Sequence, residues 1–227
     1  MFDLQGLNIY LIGMMGSGKS TIGSLLAKQL GYSFLDTDVT IEKLAGQNVT
    51  GIFQTVGEAE FRQIETKVLA EVSAHLRLVV ATGGGIAIAR ENWNHLHQGL
   101  VIWLDPPVEV LVERLHGDTT RPLLADTADL QSTLATILAE RRHHYGEADI
   151  QISIAQNLTA EEIIDQILAD TADLQSKLAT ILSERRHRYG EADIQISITQ
   201  NLTPEEIIDR ILAAIPTVLK APIPVPD

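Results

Sequence analysis

The chain has 227 residues, no cysteine and a formal charge of -13 at pH 7. That length suits one domain with room for an extra piece, and the missing cysteines exclude disulfides, thiolate catalysis and cysteine-based zinc sites. The acidic excess argues against a general nucleic-acid binder, which needs a basic face. No uninterrupted apolar run is long enough to span a bilayer, and the opening Met1-Phe2-Asp3-Leu4-Gln5 lacks the basic-then-apolar character of a signal peptide. The expectation is a cytoplasmic protein with neither nucleic acid nor membrane as partner.

The first apolar run, Asn8–Ile12, reads as a strand. It leads into Gly13-Met14-Met15-Gly16-Ser17-Gly18-Lys19-Ser20, a full match to G-x-x-x-x-G-K-[ST], and then into a run with apolar positions at Ile22, Leu25, Leu26 and Leu30. Strand, glycine-rich loop and helix in that order make a phosphate-binding loop. Its glycines let backbone N–H groups face phosphate oxygens. Lys19 neutralises phosphate charge, and the Ser20 hydroxyl is placed to hold Mg²⁺. Gly31 closes the helix as a C′ residue.

Ser33–Leu35 is the second strand, Leu78–Ala81 the third and Leu100–Leu104 the fourth. Between the second and third, Glu58–Leu76 carries Phe61, Ile64, Val68, Leu69 and Val72 at helical spacing. Pro106-Pro107 opens a helix over Val108–Leu115. Strands alternating with helices imply a mostly parallel sheet covered on both faces. An alternating stretch, Asp149–Ile154, suits a sheet edge because only its isoleucine face is apolar.

Residues 126–169 recur without a gap as residues 170–213. The copies differ only at Thr133/Lys177, Ala139/Ser183, His144/Arg188, Ala155/Thr199, Ala160/Pro204 and Gln166/Arg210. Each copy reads helix, strand, helix, which is a duplication rather than a solenoid. The Pro-rich residues 214–227 read as an extended tail. The expected organisation is a domain over 1–169, the repeat over 170–213 and the tail.

Several side chains carry chemistry. Asp36-Thr37-Asp38 follows the second strand, at the end where ligands bind in open α/β sheets. One carboxylate can organise Mg²⁺ through water while the other accepts a hydroxyl proton. Arg62 lies on a helix in Phe61-Arg62-Gln63-Ile64-Glu65, where its fork can clamp a carboxylate. Thr82-Gly83-Gly84-Gly85 follows the third strand and permits close backbone approach to a ligand. Arg121, in Arg121-Pro122-Leu123-Leu124, and Arg141, in Glu140-Arg141-Arg142-His143-His144-Tyr145, are candidates to meet transferring phosphate or substrate charge. His95, His97 and the His143-His144 pair lack partners at metal spacing and read as surface residues.

In that order, the phosphate loop, Asp-Thr-Asp, Phe-Arg-Gln-Ile-Glu, Gly-Gly-Gly, Arg-Pro-Leu-Leu and Glu-Arg-Arg-x-x-Tyr make residues 7–169 resemble the shikimate kinases, small P-loop enzymes of aromatic amino-acid biosynthesis. The resemblance implies a three-layer α/β/α fold with a five-stranded parallel sheet, order 2-3-1-4-5, and a lid around Gly117–Leu124. It implies ATP and Mg²⁺ as cofactors and transfer of phosphate to the 3-hydroxyl of shikimate. Gly16, Ser17, Gly18, Lys19, Ser20 and Thr21 would bind nucleotide, with Arg114 packed on adenine. Lys19 and Arg121 would stabilise phosphate charge, and Ser20 would place Mg²⁺ with Asp36 acting through water. Asp38, Arg62, Gly84 and Arg141 would hold shikimate, the two arginines gripping its carboxylate. Two departures concern the repeat: the family often has Pro where copy one has Ala160 and copy two Pro204, and favours Pro where the copies have His143 and His187.

The short connection to the lid favours copy one in the core. Copy two would then add a sixth strand, exchange with copy one within or between chains, or stay partly disordered; a monomer and a swapped dimer both follow from these arrangements. No Gly or Pro interrupts Thr159–Tyr189, so a continuous helix is expected there, with a fresh cap at Asp170 or Thr171 as the alternative. Rival functions are a kinase for another small hydroxy acid such as gluconate, and a catalytically impaired binding protein.

Overall fold

The order of elements is set by short apolar strands broken by glycine-bearing turns. In a computed structural model, which describes residues 4, 6–117, 124, 129–155 and 158–173, these become five strands and seven helices among the described residues. They are β1 (Ile9–Ile12), α1 (Lys19–Leu30), β2 (Ser33–Asp36), α2 (Thr37–Ala45), α3 (Val49–Ser73), β3 (Leu78–Ala81), α4 (Asn92–Leu96), β4 (Leu100–Asp105), α5 (Val108–Leu115), α6 (Leu130–Tyr145), β5 (Ile150–Ser153) and α7 (Ala160–Asp173).

The strands form one parallel sheet in the order β2-β3-β1-β4-β5. Every residue of β1 and β3 is buried, as central parallel strands require, and alternate residues feed opposite cores. Ile9 and Leu11 join Leu100, Ile102 and Leu104 under α1 and α7. Tyr10 and Ile12 join Val101 and Trp103 in the core shared with α3 and α6. In β5 only Ile150 and Ile152 are buried, which fits its place at the edge.

Gly31 adopts φ 66° and gives its N–H to the last carbonyls of α1, as expected of a C′ glycine. The helix expected from Glu58 is the second half of α3, which bends at Gly57, where φ is 82°. Residues of copy one make α6, β5 and α7, and β5 pairs with β4 in register Ile102–Ile150. Helix α7 passes Asp170 without a break, and the Thr171 hydroxyl donates to the Ile167 carbonyl, so neither residue caps a new helix. The remainder of the expected long helix, copy two and the tail lie outside the described residues. So do Arg121 and most of the expected lid.

The register between β1 and β4 begins at Gly99, because the Leu100 N–H donates to the Asn8 carbonyl at 2.8 Å. A Cβ at Gly99 would overlap that carbonyl and the Tyr10 ring. Gly99→Ala is therefore expected to destabilise the fold by about 1–3 kcal/mol, measured as a lower denaturant midpoint with an unchanged slope.

Candidate active site

Three loops meet at the carboxyl ends of β1, β2 and β3, where β1 sits between neighbours reached by oppositely directed crossovers. The first is the phosphate loop. Gly13, Gly16 and Gly18 take φ of 135°, 76° and 97°, conformations that side chains rarely tolerate. Gly18 starts α1, so the helix's free N–H groups and the positive end of its dipole face the cavity. Lys19 is buried, and its ammonium donates to the carbonyls of Gly13 (2.9 Å) and Met14 (2.8 Å). These bonds tie the ammonium across the loop, at the wall of the cavity.

The second loop carries the paired carboxylates. Asp36 caps α2, its Oδ1 accepting from the N–H groups of Asp38 (3.0 Å) and Val39 (3.3 Å). Its Oδ2 accepts the Ser20 hydroxyl at 2.6 Å. The hydroxyl and carboxylate assigned to Mg²⁺ are therefore neighbours at the cavity edge. Mg²⁺ keeps several waters and needs few protein ligands beside phosphate oxygens, so this pair fits it. Among the described residues no group of three or more His, Asp or Glu forms a metal cage of its own.

The third loop is Thr82–Gly85. The Thr82 hydroxyl donates to the Leu11 carbonyl (2.9 Å), and the Gly83 N–H donates to the Thr37 hydroxyl (3.0 Å). A Cβ at Gly83 would collide with Glu65, and one at Gly85 with the Arg62 guanidinium. These glycines thus make room for side chains of α3. Gly84 offers its carbonyl to Arg141 Nη1 (3.0 Å) and to the Tyr145 hydroxyl (2.6 Å), both from α6.

Two cavities result. The larger, about 450 Å³, is lined by residues 15–22, Asp36, Asp38, Thr82, Gly84 and Arg114, with an apolar wall from Leu158, Ala160 and Ile163. Arg114 donates to the Gly16 carbonyl at 3.2 Å, against the phosphate loop. The smaller, about 60 Å³, is lined by Met15, Asp38, Val49, Phe53, Phe61, Arg62, Glu65, Gly83, Gly84, Gly85 and Arg141. Met15, Asp38 and Gly84 line both and mark the junction.

The smaller cavity concentrates charge. Arg62 donates to Glu65 (2.5 Å) and Glu58 (2.9 Å) and lies over the rings of Phe61 and Phe53. Arg141 is 8% exposed. Burial pushes the Glu65 carboxyl up to about 7 against the opposing pull of Arg62, with Asp38 raising it further and Arg141 lowering it. Burial also raises the Tyr145 hydroxyl, so it is a donor at neutral pH.

All the sequence-derived site residues except Arg121, which lies outside the described residues, line these two cavities. Sequence reading gave no role to Glu65 or Tyr145, although both lie in the quoted motifs; the i,i+3 spacing of Arg62 and Glu65 on a helix was the available signal. His95 is corrected: it is half-buried, its Nδ1 3.1 Å from the Ser73 hydroxyl, and burial lowers its pKa. His97 is also half-buried, its ring tilted against that of Trp93 with centroids 5.0 Å apart. His95 lies within α4 and His97 caps its end, and neither lines the two cavities.

Comparison with known proteins agrees with this geometry. The family model described as "Shikimate kinase" matches residues 15–172. A shikimate kinase of Rippkaea orientalis is 55% identical over 164 residues, covering 72% of this chain and 87% of that protein. A shikimate kinase of Nostoc punctiforme is 52% identical over 164 residues, covering 72% and 90%. The solved shikimate kinase of Acinetobacter baumannii in complex with shikimate superposes with a TM-score of 0.72 at 38% identity, covering 74% of this chain and 94% of that one. The site and fold define a P-loop small-molecule kinase. More narrowly, the chain belongs to the shikimate kinase family.

Glu65 yields a pH prediction. The folded protein holds its proton up to about pH 7, whereas the unfolded chain releases it near the ordinary value of 4.5. Between those values the folded state binds more protons, so this group makes stability fall as pH rises across the window. Glu65→Gln should flatten that fall by roughly 1–3 kcal/mol, measured by denaturant unfolding at pH values spanning it.

Proposed function

We propose that this chain transfers the γ-phosphoryl group of ATP to the 3-hydroxyl of shikimate, giving shikimate 3-phosphate and ADP. Family membership supports the activity, and one observation carries its geometry. Asp38 and Gly84 line both the phosphate cavity and the arginine-bearing cavity, so a hydroxyl acid in the second faces a triphosphate in the first. Arg62 and Arg141 grip the substrate carboxylate through charge-assisted hydrogen bonds. Asp38 orients the 3-hydroxyl and accepts its proton as the oxygen bonds to phosphorus and the bond to the ADP oxygen breaks.

Residues 16–21 hold the nucleotide phosphates, and Lys19 neutralises the charge that develops on them. Arg114 packs on the base side of the same cavity. Arg121 joins Lys19 in neutralising the phosphates. Ser20 holds Mg²⁺, with Asp36 acting through water. When bound, the ion draws charge from the β- and γ-phosphate oxygens. Most of the rate acceleration then comes from positioning and electrostatics rather than covalent chemistry.

We place the protein in the cytoplasm, with the enzyme formed by residues 1–169 and the near-identical repeat at 170–213 lying beyond the family's ordinary extent. No helix among the described residues is long and apolar enough to cross a membrane. The working form is a monomer, with exchange of repeats between chains as the route to a dimer.

Asp38→Asn and Arg62→Ala are each expected to lower shikimate-dependent ADP release by about 10²-fold or more. Fluorescent-nucleotide titration should show ATP binding kept in both. Turnover near the wild-type rate in Asp38→Asn would remove that carboxylate from the reaction. ADP release with gluconate exceeding that with shikimate would replace the substrate.

A further inference from the structure

Consecutive residues of an α-helix point about 100° apart, so Arg141 and Arg142 of α6 face different neighbours. Arg141 lies on the buried stripe formed with Leu134, Leu138 and Tyr145, and its Nη1 donates to the Gly84 carbonyl at 3.0 Å. Arg142 turns outward, and its side chain is 55% exposed. Its Nη2 nonetheless donates to Asp105 Oδ2 at 2.9 Å, and its guanidinium lies 5.1 Å from the centre of the Trp103 ring.

The partners of the two arginines stand on opposite sides of one strand. Gly84 follows β3, Asp105 ends β4, and the sheet order places β1 between them. The phosphate loop leaves β1 in that gap. Helix α6 therefore straddles the loop, tied to each flank by one of two adjacent residues. Its last residue reaches the loop as well, with the Tyr145 hydroxyl 3.8 Å from the Met14 sulfur. The end of β4 is pressed against the loop, since a Cβ at Gly13 would overlap the Leu104 carbonyl.

The two ties constrain different motions. Arg141 and Tyr145 both reach the Gly84 carbonyl from one face of α6. Contacts on one face fix how close a helix lies to its neighbour and oppose rolling about its axis only weakly. A roll of about 10° moves a side-chain tip, some 5–6 Å from the axis, by roughly 1 Å. A misplacement of that size is enough to weaken a charge-assisted bond to a ligand. A second tie a quarter-turn round the helix opposes the roll directly.

Asp105 is suited to anchor that second tie. Its side chain is only 9% exposed, and Oδ2 also accepts Gln151 Nε2 of β5 at 2.7 Å. Its backbone carbonyl accepts the Ile154 N–H at 3.2 Å. Bound to β5 through side chain and backbone, the anchor cannot follow α6. An ion pair with one exposed partner adds little to global stability, so its consequence lies in orientation.

We propose that Asp105 and Arg142 are positioning residues: their ion pair sets the roll of α6 and so holds Arg141 at the substrate cavity. The grip of Arg141 on substrate rests on the shikimate kinase reading; the mechanical link from Arg142 to Arg141 does not.

The test uses the full-length chain. Arg142→Ala and Asp105→Asn are each expected to raise KM for shikimate about fivefold, as for coupled neighbours, while kcat and KM for ATP stay within about twofold of wild type. The denaturant midpoint should change little. An unchanged KM for shikimate in either variant would overturn the proposal. So would a KM rise matched by losses in kcat and in the midpoint, which marks general loosening. In an Arg141→Ala background, Arg142→Ala should raise KM no further. An equal further rise there would show Arg142 acting through something other than Arg141, and would also overturn it.

A second measurement does not depend on activity. Hydrogen bonding to the Gly84 carbonyl should slow rotation of the Arg141 guanidinium, read by ¹⁵N NMR with Arg141→Ala giving the assignment. Arg142→Ala should release that rotation. An Arg141 signal that rotates freely in the wild type, or is unchanged in Arg142→Ala, would overturn the link. A wild-type chain that releases no ADP with shikimate would defeat the functional reading and leave this measurement to decide the link.

Discussion

The site depends on one backbone acceptor, the carbonyl of Gly84. Arg141 and Tyr145 both donate to it from α6, while its loop is fixed from the other side through Thr37 and Thr82. A carbonyl has two lone pairs, and here both are used by side chains one helical turn apart. The contact locks α6 to the end of β3 and brings it beside the backbone of the phosphate loop, with a Cβ at Gly84 lying only 3.3 Å from the Met15 nitrogen. A shift of α6 would move Arg141 and the wall between the two cavities together. Tyr145 resists such a shift because its ring is fully buried against Trp103, 5.7 Å away between centroids.

Around that fixed point the charges balance before any substrate arrives. Arg62 is held by Glu65 and Glu58 and by two aromatic rings, so its fork is already oriented. Burial resists the charge on Glu65, which holds a proton more tightly than an ordinary carboxyl. An incoming carboxylate that takes over a hydrogen bond from Arg62 removes part of what keeps Glu65 ionised. Substrate binding and proton uptake at Glu65 are then linked. A neutral polyol would replace none of that ion pairing, so on electrostatic grounds a pocket lined by two guanidinium groups favours an acid.

Much of this was legible in the sequence, for reasons that differ by residue. β1 and β4 are continuous apolar runs because they are covered on both faces, and β5 alternates because it is an edge; periodicity reports burial directly. The phosphate loop was legible because its glycine spacing is imposed by backbone geometry. Arg62 and Arg141 could be paired only through resemblance, since nothing local says that α3 and α6 converge. The glycines after β3 were read as a place for ligand approach, whereas at Gly83 and Gly85 the missing Cβ first admits Glu65 and Arg62. A glycine shows that space is needed and not what fills it. His95 looked solvated because the hydroxyl of Ser73 that receives it comes from another helix.

The repeat shows where local information ends. The apolar pattern is the same in both copies, and of the six differences only Ala160/Pro204 bears strongly on helix propensity, so the pattern by itself cannot choose between them. The structure places copy one in the sheet and runs α7 through Asp170 as though no boundary existed. That continuity has a physical basis: Asp170 is only half-buried, Ala172 is exposed, and Thr171 satisfies its own hydroxyl within the turn. Just beyond them, Asp173 is the counterpart of Asp129, which caps α6 with its carboxylate accepting the Ser132 N–H. A stretch that serves as the end of one helix or the start of the next has its role set by which neighbour is already packed. The choice of fold partner therefore passes from the apolar pattern to chain connectivity.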